Sequence, residues 1–293
     1  MAYGTPERAE DLEAYYTDIR RGRPPTADQL ADLRRRYDAI GGLSPLAQRT
    51  RAQVAALAGK LGPGWVVELG LKHAEPRIED GAAALVQAGV DHAVGLVLAP
   101  HYSALSVGQY HERARKVFEP AQVSYRGIER WGTEPALIGL LAARVREALA
   151  TSKDAGCERV ELLVTAHSLP SRCLELDRPT YPDQLTATAG EIGALTHATS
   201  WRVAWQSAGR TPEPWLGPDL LDLIPCLPAE GFDGVVVCPA GFTSDHLEVL
   251  YDVDIEARRV ANSVGLPLER TASLNDDPTF IALLAKLVSR HSR

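Results

Sequence analysis

The chain predicts a parallel α/β fold in two similar halves, each a β-sheet flanked by helices, with a cleft between them. Three observations carry that expectation. Short runs rich in Val and Leu, none longer than seven residues, recur along the chain without clean alternation, as strands buried on both faces do. Longer amphipathic stretches separate them, which is the alternation of a parallel sheet covered by helices. Most runs end in a loop of small and polar residues, and two of those loops carry a His followed closely by a Ser.

In chain order, strands are expected over 65–71, 94–99, 160–166, 201–205 and 234–238. Helices are expected over 28–38, 45–61, 78–88, 135–150, 181–194 and 246–261. Asp28 is a candidate cap for the first helix, and Pro45 suits the first turn of the second. The strand ends read Pro100-His101-Tyr102-Ser103, His167-Ser168-Leu169-Pro170, Gln206-Ser207-Ala208-Gly209 and Pro239-Ala240-Gly241-Phe242. Ligands of open α/β sheets bind outside such carboxyl ends, so two facing halves would enclose a deep site. The division is placed at 1–145 and 146–293.

Composition excludes several classes. With 31 Lys and Arg against 38 Asp and Glu, 45% apolar and 24% charged residues, the chain is neither disordered nor a general nucleic-acid binder. No apolar run reaches the roughly 18 residues of a membrane span, and no charged-then-apolar leader precedes the body, so a cytoplasmic location is expected. Cys157, Cys173, Cys226 and Cys238 are scattered without a C-x-x-C pair. They are read as free thiols, neither a zinc site nor disulfides. Residues 1–51 hold nine Arg, and guanidinium forks suit a small anionic ligand.

Four segments carry candidate chemistry. His167 directly follows an expected buried strand, where an imidazole can take a proton, bind a metal, or simply bond the backbone. Ser168 beside it lacks a Gly-x-Ser-x-Gly elbow, so hydrolase chemistry is set aside. In 245–256, a helix would stack Glu248, Asp252 and Glu256 at i, i+4 and i+8, a repelling row beside the apolar row of Val249, Val253 and Ala257. Such a row can line a cleft and hold a hydrated divalent cation. Three prolines and two glycines stiffen the 205–219 loop, which carries two tryptophans, and long ordered loops are commonly functional. The turns Tyr3-Gly4-Thr5-Pro6 and Gly41-Gly42-Leu43-Ser44-Pro45 lead into helical segments, where free N–H groups bind anions.

Taken together, these segments resemble a ferrochelatase. The matching stretches are Met1-Ala2-Tyr3-Gly4-Thr5-Pro6, 39–45, 71–76 (LKHAEP), 98–103 (LAPHYS), 165–170 (TAHSLP), Tyr181-Pro182-Asp183-Gln184, 205–219 and 241–256. The resemblance is closest to the soluble, monomeric Gram-positive type, whose substrate is coproporphyrin III, and 15–23 supports that subgroup. It implies two Rossmann-like, chelatase-type halves. It places the family's proton-accepting and metal-handling pair on His167 and Glu248, with Tyr3 on the opposite face near the metal. Thr5, Arg20, Arg36, Tyr37, Ser44, Tyr125 and Ser207 fall where the family contacts the porphyrin and its propionates. Asp252 and Glu256 match an outer metal site for Mg(II) or another divalent ion.

The implied reaction takes Fe(II) and a free-base porphyrin as substrates. It sheds two pyrrole protons to a neutral imidazole and an anionic carboxylate in sequence, while the site bends the macrocycle. No tightly bound cofactor is implied. The implied partners are the porphyrin, Fe(II) and, transiently, other heme-pathway enzymes. Alternatives are a protoporphyrin IX ferrochelatase, a cobalt or sirohydrochlorin chelatase (which lacks the 205–219 stretch), and a non-catalytic tetrapyrrole or iron carrier. Two departures from the family pattern remain. A short strand is expected ahead of Met1, and its absence would loosen Tyr3 and lower stability or activity. The last residues, 288–293, lack the cysteines that hold a [2Fe–2S] cluster in some relatives, so no cluster is expected.

Overall fold

The computed structural model describes residues 1–209 and 211–292. Arg210, in the 205–219 loop, and Arg293, in the 288–293 segment, lie outside the described residues.

The first half contains α1 (Leu12–Ile19), α2 (Ala27–Ala39), α3 (Leu46–Leu61), α4 (Ile78–Gln87), β1 (His92–Leu96), α5 (Val107–Phe118) and β2 (Ser124–Ile128). Thr26, not Asp28, caps α2: its hydroxyl accepts from Gln29 N while the Gln29 side chain accepts from Thr26 N, a reciprocal capping box. Strands β1 and β2 pair in parallel. The expected strand at 65–71 forms no ladder; only Leu71 bridges, to Ala2 and Arg77. The chain's first residues occupy the neighbouring position. Met1 N donates to Leu96 O at 2.6 Å and Leu98 N to Met1 O at 2.9 Å. On the other side Ala2 N donates to Gly70 O and Lys72 N to Ala2 O. Behind Met1, between 65–70 and β1, lies an apolar groove of about 360 Å³ lined by Val67, Ile78, Ala82, Val94 and Phe118 among others.

The second half comprises α6 (Pro135–Asp154), β3 (Val160–His167), α7 (Cys173–Leu176), α8 (Tyr181–Thr196), β4 (Trp201–Gln206), α9 (Leu220–Leu223), β5 (Gly234–Cys238), a π-helix (Glu248–Ala257), α10 (Arg258–Ser263), β6 (Leu268–Arg270) and α11 (Pro278–His291). Its sheet is parallel in the order β4–β3–β5–β6. Leu162, Val164 and Ala166 of β3 pack with α6, α8 and α11, while Leu163 packs with the opposite layer of α9, the π-helix and α10. Both faces of β3 are therefore core, which is why its sequence is largely apolar, with Glu161 and Thr165 buried in it as polar exceptions.

Two features depart from a simple division at 145/146. Helix α6 runs unbroken across that point. Helix α11, last in sequence, packs against α3 of the first half as well as α6. The segment expected as an α-helix over 246–261 is a π-helix through Ala257, with i→i+5 bonding, a form concentrated at functional sites. Among the described residues no helix is long and apolar enough to cross a membrane.

Candidate active site

His167 closes β3, paired in register with Gln206 at the end of β4. Its Nδ1 is 2.5 Å from Ser168 O, so Nδ1 carries a proton, because a carbonyl only accepts. Its Nε2 is 3.5 Å from Glu248 Oε1. Glu248 opens the π-helix, and Gln206 anchors that start: its amide donates to Glu248 O at 3.0 Å while its own oxygen accepts from Thr165 Oγ1 at 2.9 Å. The second carboxylate oxygen of Glu248 lies 3.5 Å from His246 Nε2. Glu248 thus stands between two imidazoles.

The electrostatics follow. Burial works to lower the His167 pKa, but the Glu248 charge and hydrogen bond and the Ser168 carbonyl prevail and raise it to about 9. Burial works to raise Glu248, but His167, with His246 adding, holds its carboxyl well below the usual carboxylate range. The resting pair is an imidazolium and a carboxylate, which differs from the neutral imidazole expected from sequence. The cause is the apposed charge, which stabilises the protonated ring more than burial opposes it.

Tyr15 and Tyr37 of the first half pack in one cluster with Leu247 and Tyr251, on either side of Glu248. Burial, followed by the Glu248 charge, raises the Tyr3 hydroxyl well above its ordinary value. Burial likewise raises Tyr15, Tyr37 and Tyr110, and Glu248 adds to each. One carboxylate from the second half is therefore felt by four phenols of the first. Tyr3 as a whole is exposed, at 38%. Thr5 and Tyr37 share a 3.0 Å hydrogen bond in the interior, and Tyr15 donates to Gly4 O.

The remaining residues singled out from sequence divide. Arg36, Ser207 and Asp252 come together: Arg36 Nη2 and the Ser207 hydroxyl both donate to the Asp252 carboxylate. They line a polar cavity of about 180 Å³ with Asp219 and Glu256. Burial pushes the Asp252 carboxyl up to about 6, with Arg36 opposing and the Glu248 charge adding. This arrangement does not fit a ready-made cation site. Both Asp252 oxygens are engaged, and among the described residues no three His, Cys, Asp or Glu side chains converge to hold a metal. Ser44 is buried and its hydroxyl accepts from Leu46 N at the start of α3. Arg20 sits at the end of α1, its Nε donating to Arg23 O. Tyr125 lies elsewhere: it hydrogen-bonds His111 Nδ1 at 2.6 Å and stacks on Phe118 in the core of the first half, because β2 turns that side chain toward α5.

Sequence reasoning missed His246, Gln206, Lys72, His73 and Asp18. The first is two positions from Glu248, and Lys72 and His73 lie inside LKHAEP, so position in the motifs was the available signal. Burial brings Lys72 down to about 8 and His73 to about 4, the latter against the pull of Asp18.

Two α/β halves with an imidazole–carboxylate pair at the carboxyl edge of the second sheet, beside phenols of the first half, define a chelatase-type protein. The fold is that of the solved SirB from Bacillus subtilis with Fe3+, with TM-score 0.60 at 15% identity, covering 83% of this chain and 88% of that one. The chain belongs to the ferrochelatase family, whose profile matches residues 1–292. It is 46% identical to the coproporphyrin III ferrochelatase of Anoxybacillus flavithermus, over 100% of this chain and 95% of the relative. It is 45% identical to the coproporphyrin III ferrochelatase of Geobacillus thermodenitrificans, over 98% and 93%.

Proposed function

We propose that the chain inserts Fe(II) into coproporphyrin III to give coproheme, with release of two protons. The observation that carries this reading is the 3.5 Å approach of His167 to Glu248, in a chain similar over its whole length to relatives named coproporphyrin III ferrochelatase. Fe(II) and the porphyrin are substrates, and no resident cofactor is invoked. The pair accepts the pyrrole protons. Because His167 rests protonated, it must release a proton before accepting one, and Glu248, bridging to His246, is the route out. Carboxylate and imidazole bind Fe(II) weakly enough to release it.

Arginines of the first half, Arg20 foremost, meet the propionates, with Thr5, Tyr37, Ser44 and Ser207 along the macrocycle; Tyr125 would act only from behind this wall. A divalent ion such as Mg(II) at Asp252 and Glu256 would have to displace Arg36 from Asp252, so no step is routed through it. We read the protein as a cytoplasmic monomer without a [2Fe–2S] cluster, in transient contact with other heme-pathway enzymes. Cys157, Cys173 and Cys238 are buried free thiols and Cys226 is an exposed one.

Anaerobic incubation with Fe(II) and either coproporphyrin III or protoporphyrin IX, following loss of free-base absorbance, tests the reading. Faster turnover of the four-propionate substrate is expected. Faster turnover of protoporphyrin IX would reverse the substrate assignment. Tight binding of both without turnover would make the chain a carrier.

A further inference from the structure

The first half holds an imidazole–carboxylate pair of its own, apart from His167 and Glu248. Asp18, near the end of α1, lies with Oδ2 2.7 Å from Nδ1 of His73. Arg77 Nη1 donates to the same oxygen at 3.1 Å, fixing the carboxylate from a second side. An ionised carboxylate only accepts, so Nδ1 holds the ring's hydrogen and Nε2 keeps its lone pair. Among the described residues Nε2 has no hydrogen-bond partner, and it is not sealed in the interior. The ring lies against Tyr3, centroids 4.6 Å apart and planes at 59°. The His73 backbone N–H donates to Tyr3 O at 2.9 Å. Tyr3 precedes Gly4, whose carbonyl accepts from Tyr15, and Tyr15 packs in one cluster with Leu247 and Tyr251 of the segment that carries Glu248, so this imidazole stands on the first-half wall next to that segment.

A carboxylate that fixes the tautomer and attitude of a histidine ring is the usual support of a metal-ligating imidazole. We propose that His73 Nε2, oriented by Asp18, is a second receiving ligand for the divalent metal substrate, beside Tyr3 on the first-half wall next to the segment that carries Glu248. The step is formation of one coordinate bond from the Nε2 lone pair. No proton leaves, because Nδ1 keeps its hydrogen on Asp18. The inference rests on the metal-insertion reading and names where the metal is first held.

The test uses the full chain with His73→Phe, which keeps a ring against Tyr3, and Asp18→Asn, which keeps an acceptor for Nδ1–H. Anaerobic initial rates are measured against Fe(II) and against porphyrin separately. Co(II) is also titrated without porphyrin, read by its visible ligand-field absorption. His73→Phe is expected to raise the KM for metal about tenfold, to leave the KM for porphyrin unchanged, and to remove part of the Co(II) absorption. Asp18→Asn should give a smaller rise of the same kind. An unchanged metal KM in His73→Phe would overturn the proposal, as would a parallel rise in both constants, which would mark the ring as wall packing. If the unaltered chain inserts no metal, the functional reading fails, while the Co(II) titration still decides for or against His73.

Discussion

Nε2 of His167 lies 3.5 Å from Oε1 of Glu248, joining the end of a β-strand to the start of a π-helix. The contact is supported by Gln206 from the neighbouring strand, whose amide donates to Glu248 O. Replacing His167 with Ala, or Glu248 with Gln, should lower kcat for metal insertion by about 10²–10⁴-fold, the range for a positioned acid–base group. Porphyrin affinity, followed by tryptophan quenching, should be preserved. Full turnover in either variant would remove the pair from the reaction.

The same contact predicts a pH dependence of stability. The folded pKa of His167 is raised to about 9, so its contribution is complete below its unfolded value near 6.5 and is lost as pH climbs through about 9. Glu248 is depressed, so its contribution is present above its unfolded value and is lost only in strong acid. The Tm difference between the native chain and a His167→Ala, Glu248→Gln double variant should therefore be largest near pH 5–6 and narrow by pH 9.5. A difference that grows toward pH 9.5 would mean the ring rests neutral.

Arg36 and Asp252 tie the halves together on the other side of Ser207. Arg36 is partly solvated at 23% exposure, so the cost of breaking the tie falls below that of a fully buried pair. Because burial disfavours the Asp252 charge more than Arg36 favours it, Asp252→Asn should cost no stability in urea unfolding at pH 7, and its difference from the native chain should shrink toward pH 5. Arg36→Met should lose less at pH 5 than at pH 7, because Asp252, raised to about 6, then protonates and no longer needs the cation. Equal losses at both pH values would count against the tie.

The groove behind Met1 makes a separate prediction. Burial holds the Met1 ammonium down to about 5, and the groove beside it is lined by side chains of 65–70, α4 and β1. A fused extension of about five alternating Val and Leu residues before Met1 would continue the Ala2 bridge as a strand. It would also replace the buried amine by an amide. Each side chain it buries is worth about 1.5–3 kcal/mol, so a Tm rise of at least about 3 °C is expected. An unchanged Tm would show that the groove does not accept a strand.

The second half was the legible one. Strands β3 and β5 have core on both faces, so β5 is an unbroken run and β3 a mostly apolar one, each with one reading. Strand β2, with Arg126 and alternately exposed residues, and helix α5 gave no such run and were passed over. The 65–71 segment looks like a strand because Trp65 and Val67 are apolar, but a ladder needs a partner that no periodicity reveals. At the site, His167 and Glu248 were reachable through strand-end position, the acid row and family likeness. The protonation of His167 was not, since it depends on a distance. Nor was the use of Arg36 and Asp252 as each other's partners, because two residues far apart in sequence carry no mark of meeting.

Helix α11 binds the end of the chain to the first sheet's layer, and α6 passes through the middle without a break. Parting the two halves would have to peel α11 away from α3 and from the first-half strands it touches. That tie limits how far the walls can separate and so how thick a guest can slip between them.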